Sequence, residues 1–318
     1  MRFESYPRSA STPNIIVDGP RNASTVLALS HWARSGTPPE LRADTSTEIV
    51  FRYLDAPRFR VQADVVSNNH FDEDGLLGIF ALLDPASGER HRDLLIDASR
   101  AGDFDVYRSR DAARIAFVLG AYSDPETSPL PAPIFELPFP DQTAELYVQA
   151  LDLLPALLEN PDTFRSYWEA EDRTLSEHEA LIEQGCITIE ERPELDLAIV
   201  HAPRDLGRCH RSAIHSRTER SRVATVQGNR IEFHYRYEGW VQMASRRPAL
   251  RVDLSGLVEE LNLEQEAPGR WVFDGVESIV PRLHLEGGVP SSVSPDEVLK
   301  RIEHHLRVGA PALNPYEE

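Results

Sequence analysis

The sequence predicts an α/β fold: a largely parallel sheet with flanking helices, followed by a second, α+β domain. Three observations carry this. Short apolar runs alternate with helical stretches through the first 120 residues, six prolines crowd into 123–140, and strand patterns return after Cys186. A chain of 318 residues has room for two domains of ~100–200 residues each. The expected division is an α/β domain over 1–122, a Pro-rich linker and helical connector over 123–185, and the α+β domain over 186–318.

Asn14–Asp18 and Thr25–His31 are apolar runs bounded by turn residues, which reads as two strands. Asp44-Thr45-Ser46-Thr47-Glu48 supplies a cap and a first-turn acid for a helix to about Leu54. Ala63–Ser67 is the next strand. Leu76–Leu83 is apolar on every face, as a buried helix is, and Asp111–Leu119 is an amphipathic helix. Thr25 to Ser67 is then a βαβ unit with parallel strands and a right-handed crossover. Its strand ends share one sheet edge, where open α/β sheets bind ligands, and this brings His31 towards Asn68-Asn69-His70. Asp18 is expected at the opposite edge, because the few residues between its strand and the next favour an antiparallel pair over a crossover of ~10 or more. Beyond the linker, helices cover Gln142–Leu158 and Thr163–Gln184. Strands follow at Ile187–Glu190 and Leu195–His201, then a hairpin turning on Gly228-Asn229, then Leu250–Asp253, Arg270–Phe273 and Ile279–Leu285. Helices are expected over Ser255–Asn262 and from Pro295 to Leu306.

Composition limits the function. No apolar run reaches the ~20 residues of a membrane span, and the N-terminus lacks a signal-like apolar core. With Cys186 and Cys209 as the only cysteines, a reducing cytoplasm is the expected location rather than a disulfide-forming compartment. A net charge of -19 opposes binding to extended nucleic acid but leaves room for a local basic pocket. Nothing in the sequence fixes the oligomeric state, and a homodimer stays open.

The chemistry concentrates in His70-Phe71-Asp72-Glu73-Asp74-Gly75. Carboxylates and imidazole suit hard divalent cations. The spacing of two aims His70, Asp72 and Asp74 the same way, and Gly75 lets the chain turn into the apolar helix. The plain alternative is a solvated acidic turn in which Asp74 caps the helix. His31 is the candidate fourth ligand. Its convergence with the Asp72 or Asp74 carboxylate within about 5 Å would permit a closed coordination sphere.

Residues 63–83, ADVVSNNHFDEDGLLGIFALL, resemble the opening motif of the DHH phosphoesterase superfamily, a strand followed by His/Asp-x-Asp-x-Asp-Gly and an apolar helix. The resemblance implies that His70 and Asp72 hold one Mn²⁺ or Mg²⁺ and Asp74 a second, the two ions clamping a phosphate. The chain departs from the family in having no Asp-His-His triplet, and Arg92–Phe104 offers no obvious equivalent of the family's later Asp ligands. Ser245-Arg246-Arg247, with Val252-Asp253 and the helix after it, is similar to the substrate-binding domain that accompanies the DHH domain. That similarity implies a phosphate-binding Arg246. The family's glycine-rich His loop is replaced here by 264–269.

Arg208-Cys209-His210-Arg211, His215, Arg217, Arg220 and Arg222 reverse the acidic trend. Arginine forks suit phosphate, so Arg208, Arg211 and Arg217 join Arg246 as candidate substrate-binding residues, against the alternative that they pair with nearby acids. His201, His210 and His215 are candidate catalytic proton donors or phosphate ligands. Cys209, His210 and His215 also offer three zinc donors without an evident fourth. The expected function is metal-dependent hydrolysis of a small anionic, phosphate-containing and nucleotide-like substrate. Two alternatives stand beside it: a non-catalytic nucleotide- or anion-binding descendant, and a metal-dependent hydrolase of another class.

Overall fold

The apolar runs near the start of the chain become short strands of one parallel sheet. The computed structural model describes residues 1–266 and 268–317; Ala267, inside the 264–269 loop, and Glu318 lie outside the described residues. The fold is mixed α/β and divides into two units, 1–173 with 243–245, and 174–242 with 246–317.

In the first unit, β1 (Arg2–Phe3), β2 (Asn14–Val17), β3 (Thr25–Leu29) and β4 (Val65–Ser67) form a sheet ordered β1-β4-β2-β3. Every pair in it is parallel. Its helices are α1 (Tyr6–Ser9), α2 (Ser46–Leu54), α3 (Glu73–Leu83), α4 (Pro85–Arg90), α5 (Arg92–Phe104), α6 (Arg110–Ser123) and α7 (Phe139–Glu159). Ile15, Ile16, Val17, Val65 and Val66 are fully buried, as strands covered on both faces are.

Three expectations change here. β2 and β3 are parallel, not antiparallel. With β2 only four residues long, the return path is about 13 Å. Residues 18–24, extended at ~3.3 Å each, span it without a helix. Asp18 therefore lies at the same edge as His31. Strand β4 is parallel to β3 but pairs with β2, which sits between them. Residues 123–173, expected as linker and connector, belong to the first unit, because Tyr147, Ala150, Leu154 and Leu157 of α7 bury their side chains in its core.

α8 (Arg165–Glu183) runs across the division between the units. The second unit carries β5 (Thr188–Arg192), β6 (Leu197–His201), α9 (Arg211–His215), β7 (Arg222–Gln227) and β8 (Arg230–Tyr235). After them come β9 (Arg251–Val252), α10 (Ser255–Glu264), β10 (Trp271–Phe273), β11 (Arg282–Leu285), α11 (Pro295–Val308) and β12 (Pro311–Leu313). Its main sheet runs β10-β11-β8-β7-β6-β5, and only the β6/β7 pair is parallel. Gly228, at φ +60°, makes the β7–β8 turn. One sheet face packs Ala224, Phe233 and Tyr235 against Leu257 and Leu261 of α10 and Ile302 of α11. Ser245–Arg247 is irregular. No helix among the described residues is long and apolar enough to cross a membrane.

Candidate metal centre

The parallel strands of the first unit deliver acids and histidines to one edge. Asp18 follows β2, His31 follows β3, and His70 and Asp72 follow β4. Asp18 is held at φ 53°, a left-handed conformation that few residues other than glycine adopt, and its N–H donates to the Leu29 carbonyl.

Helix α3 starts at Glu73, earlier than the apolar run suggests. Asp72 is its N-cap, accepting from Gly75 N at 2.8 Å, so the strand-like spacing expected over 70–74 ends at Asp72. Asp74, two residues further on in the same first turn, caps the neighbouring helix instead. Its Oδ2 accepts from Ser46 N at 2.6 Å and its Oδ1 from Thr47 N at 2.7 Å, at the start of α2. Gly75 is required by packing, since a Cβ there would meet Tyr147 Oη at 2.6 Å and collide with Asn68 Nδ2.

Two triads result, and they share Asp18. Asp18, His70 and Asp72 form one, and Asp18, His31 and Asp74 the other. His70 Nε2 lies 2.7 Å from Asp72 Oδ2 and 3.4 Å from Asp18 Oδ2. His31 Nε2 lies 3.2 Å from Asp18 Oδ1, 4.0 Å from Asp74 Oδ2 and 3.6 Å from Asp103 Oδ2. Asp103, near the end of α5, thus adds a fourth carboxylate. The inner triad is closed to solvent, whereas the His70 and Asp72 side chains are each 23% exposed. Any ligand reaches the site from that open side.

Electrostatics set the protonation of this cluster. Burial disfavours both imidazolium ions, but the carboxylates outweigh it. Asp18 and Asp74 lift His31 to about 9, and Asp72 with Asp18 lifts His70 to about 11. Burial would also raise Asp18, yet the facing imidazoles of His31 and His70 hold it well below the usual carboxylate range. Burial and the Asp18 charge push Asp74 up to about 7. Burial, then Asp74 and Asp18, push Asp103 well up. Like charges this close cannot all ionise unaided.

The donor set fits divalent cations. The Asp18 Oδ2 and Asp103 Oδ2 atoms are buried without a hydrogen-bond partner among the described residues. His31 Nδ1 sits 2.6 Å from the Asp44 carbonyl. A proton on Nδ1 donated to that carbonyl leaves Nε2 as the ligating atom, the usual outer support of a metal-bound histidine. Four carboxylates and two neutral imidazoles balance the charge of two divalent ions.

The second unit holds the remaining sequence candidates. Arg208, Arg211 and His215 line a cavity of about 400 Å³. His215 is buried, its Nε2 3.3 Å from His234 Nε2. His210 caps α9, and His201 is exposed at the end of β6. None of these three histidines joins either triad. Arg217 lies 3.7 Å from Glu183 in an exposed pair, and Arg246 lies 3.4 Å from Glu238. Cys209, His210 and His215 form no zinc-like cluster among the described residues.

A family model matches residues 1–317. The chain belongs to the family of unknown function DUF6687. None of the curated proteins matches it.

Proposed function

We propose that this DUF6687 member is a divalent-metal-dependent phosphohydrolase acting on a small anionic substrate, and that it is a divergent relative of the DHH phosphoesterases. The observation that carries the proposal is the pair of triads sharing one carboxylate, Asp18. That arrangement suits two ions with a common bridging ligand. His70, Asp72 and Asp18 would hold the outer ion. His31, Asp74 and Asp18 would hold the inner one, with Asp103 beside it. Bound Mn²⁺ or Mg²⁺ supplies Lewis acidity at the phosphoryl group and lowers the pKa of water.

The chain's own contribution is position and charge. Asp74 is fixed by the backbone of α2, and His31 by the Asp44 carbonyl. Ser46 Oγ donates to Asp18 Oδ1 at 2.7 Å and sets that carboxylate's orientation. Trp32 stacks on His70, with ring centroids 5.1 Å apart, and covers one side of the open mouth. A cytoplasmic location fits this reading and the two free thiols.

Elemental analysis of the purified protein, followed by turnover of an aryl phosphate, an aryl phosphodiester, pyrophosphate and short dinucleotides, tests the proposal. Turnover is expected with Mn²⁺ or Mg²⁺, to be lost in EDTA and in Asp72→Asn. Metal binding without turnover of any phosphoester or phosphoanhydride would overturn it. The site would then be that of a metal-dependent hydrolase of another class or of a non-catalytic binder.

A further inference from the structure

The second unit contains a cavity that the metal centre does not explain. Along β8, Arg230, Glu232 and His234 alternate with Ile231, Phe233 and Tyr235. The apolar set enters the core. The polar set faces the other way, where a half-buried sheet normally meets water. Here residues 206–209 and α9 partly cover that face, and the half-open space between is about 400 Å³, within the usual size range of small-molecule sites.

Its charge is one-sided. Arg208 and Arg230 are exposed at the rim, Arg211 is half-buried, and His215 and His234 are buried. Arg208, Arg211 and Arg230 make no side-chain hydrogen bond or ion pair among the described residues. In a chain of net charge -19, three arginines converging on one space without a carboxylate partner are an exception. Arg282 is engaged, at 3.5 Å from Asp274. Glu232 is the only acid in the lining among the described residues. Burial, with the positive charge of His215, Arg211, Arg236 and Arg208, holds the His234 imidazole well below its usual range. His284 Nδ1 is buried with no hydrogen-bond partner among the described residues. Ile214, Val223, Leu285 and Val289 supply an apolar wall.

We propose that this cavity binds a ring-bearing phosphomonoester of mononucleotide size. The phosphate would lie among Arg208, Arg211 and Arg230, where guanidinium forks can pair with it. The ring would pack on the apolar wall, and Glu232 would accept from a hydroxyl or amino group. The proposal stands on the second unit alone and does not depend on the metal centre.

The test is calorimetric titration of the full chain in EDTA, using the four ribonucleoside 5′-monophosphates, inorganic phosphate and adenosine. The chelator removes phosphate binding through metal, so the outcome is independent of the first unit. At least one monophosphate is expected to bind tenfold or more tightly than inorganic phosphate or adenosine. Binding should weaken at least tenfold in Arg208→Ala/Arg211→Ala and stay unchanged in Asp18→Asn. Neither arginine makes a side-chain hydrogen bond or ion pair among the described residues, so the double variant is expected to fold, and an unchanged melting temperature would verify this. Failure of all four monophosphates to bind would overturn the proposal. So would binding indifferent to the double variant, or binding no tighter than that of inorganic phosphate.

Discussion

The Nε2 of His31 stands 3.2 Å from Asp18 Oδ1, and neither side chain is accessible to solvent. Thirteen positions apart in sequence, they meet because β2 and β3 are parallel and end at the same edge. Asp18 also faces His70 through its other oxygen, so one carboxylate links both halves of the site. Asp18→Asn is therefore predicted to weaken metal binding about 100-fold or more, beyond the 10–100-fold typical of losing an outer support. The amide oxygen can still accept from Ser46, so the fold should survive. Metal content and the thermal shift produced by Mn²⁺ would both fall, while circular dichroism would stay the same. Full metal loading of this variant would contradict the bridging role.

A pH dependence follows from the same cluster. His31 and His70 titrate higher in the folded chain, at about 9 and about 11, than the ordinary 6.5. Their stabilisation is complete below pH 6.5 and is lost as pH rises through those values. Asp74, raised to about 7, keeps a proton that the unfolded chain loses near 3.8, so its effect has the same sign. The metal-free protein is predicted to melt at progressively lower temperature from pH 6 to pH 9.5. Metal must displace these protons. Mn²⁺ affinity should rise with pH, and titration in buffers of different ionisation enthalpy at pH 7 should show proton release. A flat melting profile in EDTA, or binding without proton release, would refute the charge assignment.

What the sequence showed, and what it hid, has a physical pattern. The strand β4, the loop from His70 to Gly75 and the buried helix after it were legible because local pattern determines them. His31 was legible as a strand end once β3 and β4 were read as parallel. Asp18 was hidden by a loop-length argument, since the few residues after β2 fall short of a crossover of ~10 or more; a four-residue strand shortens the return path enough for an extended connection. Asp103 was hidden because α5 carries several acids, among them Asp97, which instead accepts from the backbone of Arg108 and Ser109. The available signal was periodicity: Leu95, Ser99 and Asp103 recur every four residues on one helix face, and Leu95 and Ser99 are fully buried. The role of α7 in the first core depended on tertiary packing that proline-rich composition before it does not report.

Gly75→Ala sets helix propensity against packing. In an open helix the change would stabilise by about 1 kcal/mol. Here the methyl group would press on Tyr147 Oη and Asn68, both buried, and overpacking costs about 1–3 kcal/mol. Packing should win. The expected result is a net loss of roughly 1–2 kcal/mol, readable by denaturant unfolding, together with weaker metal binding as the Asp72 cap shifts. A more stable variant would show that the Asn68–Tyr147 pair yields easily.

Tyr147→Phe separates fold from metal. Asn68 Nδ2 donates to Tyr147 Oη at 3.0 Å, with both groups buried. Removing the hydroxyl leaves that amide unsatisfied, at about 1–3 kcal/mol. The hydroxyl is a member of neither triad, so metal stoichiometry should remain unchanged while the unfolding midpoint falls. A lost metal ion with unaltered stability would reverse this assignment and make the phenol part of the centre.

Arg251 poses the equivalent test in the second unit. It is fully buried, and burial lowers its guanidinium to about 10. Its Nη1 donates to the Val276 and Ser278 carbonyls, and its Nη2 to Ile279 and Arg236. One planar fork thus ties the 276–279 loop to β9. Lysine keeps the charge but cannot span those acceptors. Since hydrogen bonds to a charged group contribute about 1.5–3 kcal/mol each, Arg251→Lys should lose at least one such bond's worth. Amide exchange would speed up first in residues 276–279, and metal binding by the first unit would be unaffected. Exchange that rises uniformly across the unit instead would mean that Arg251 supports the whole core rather than that loop.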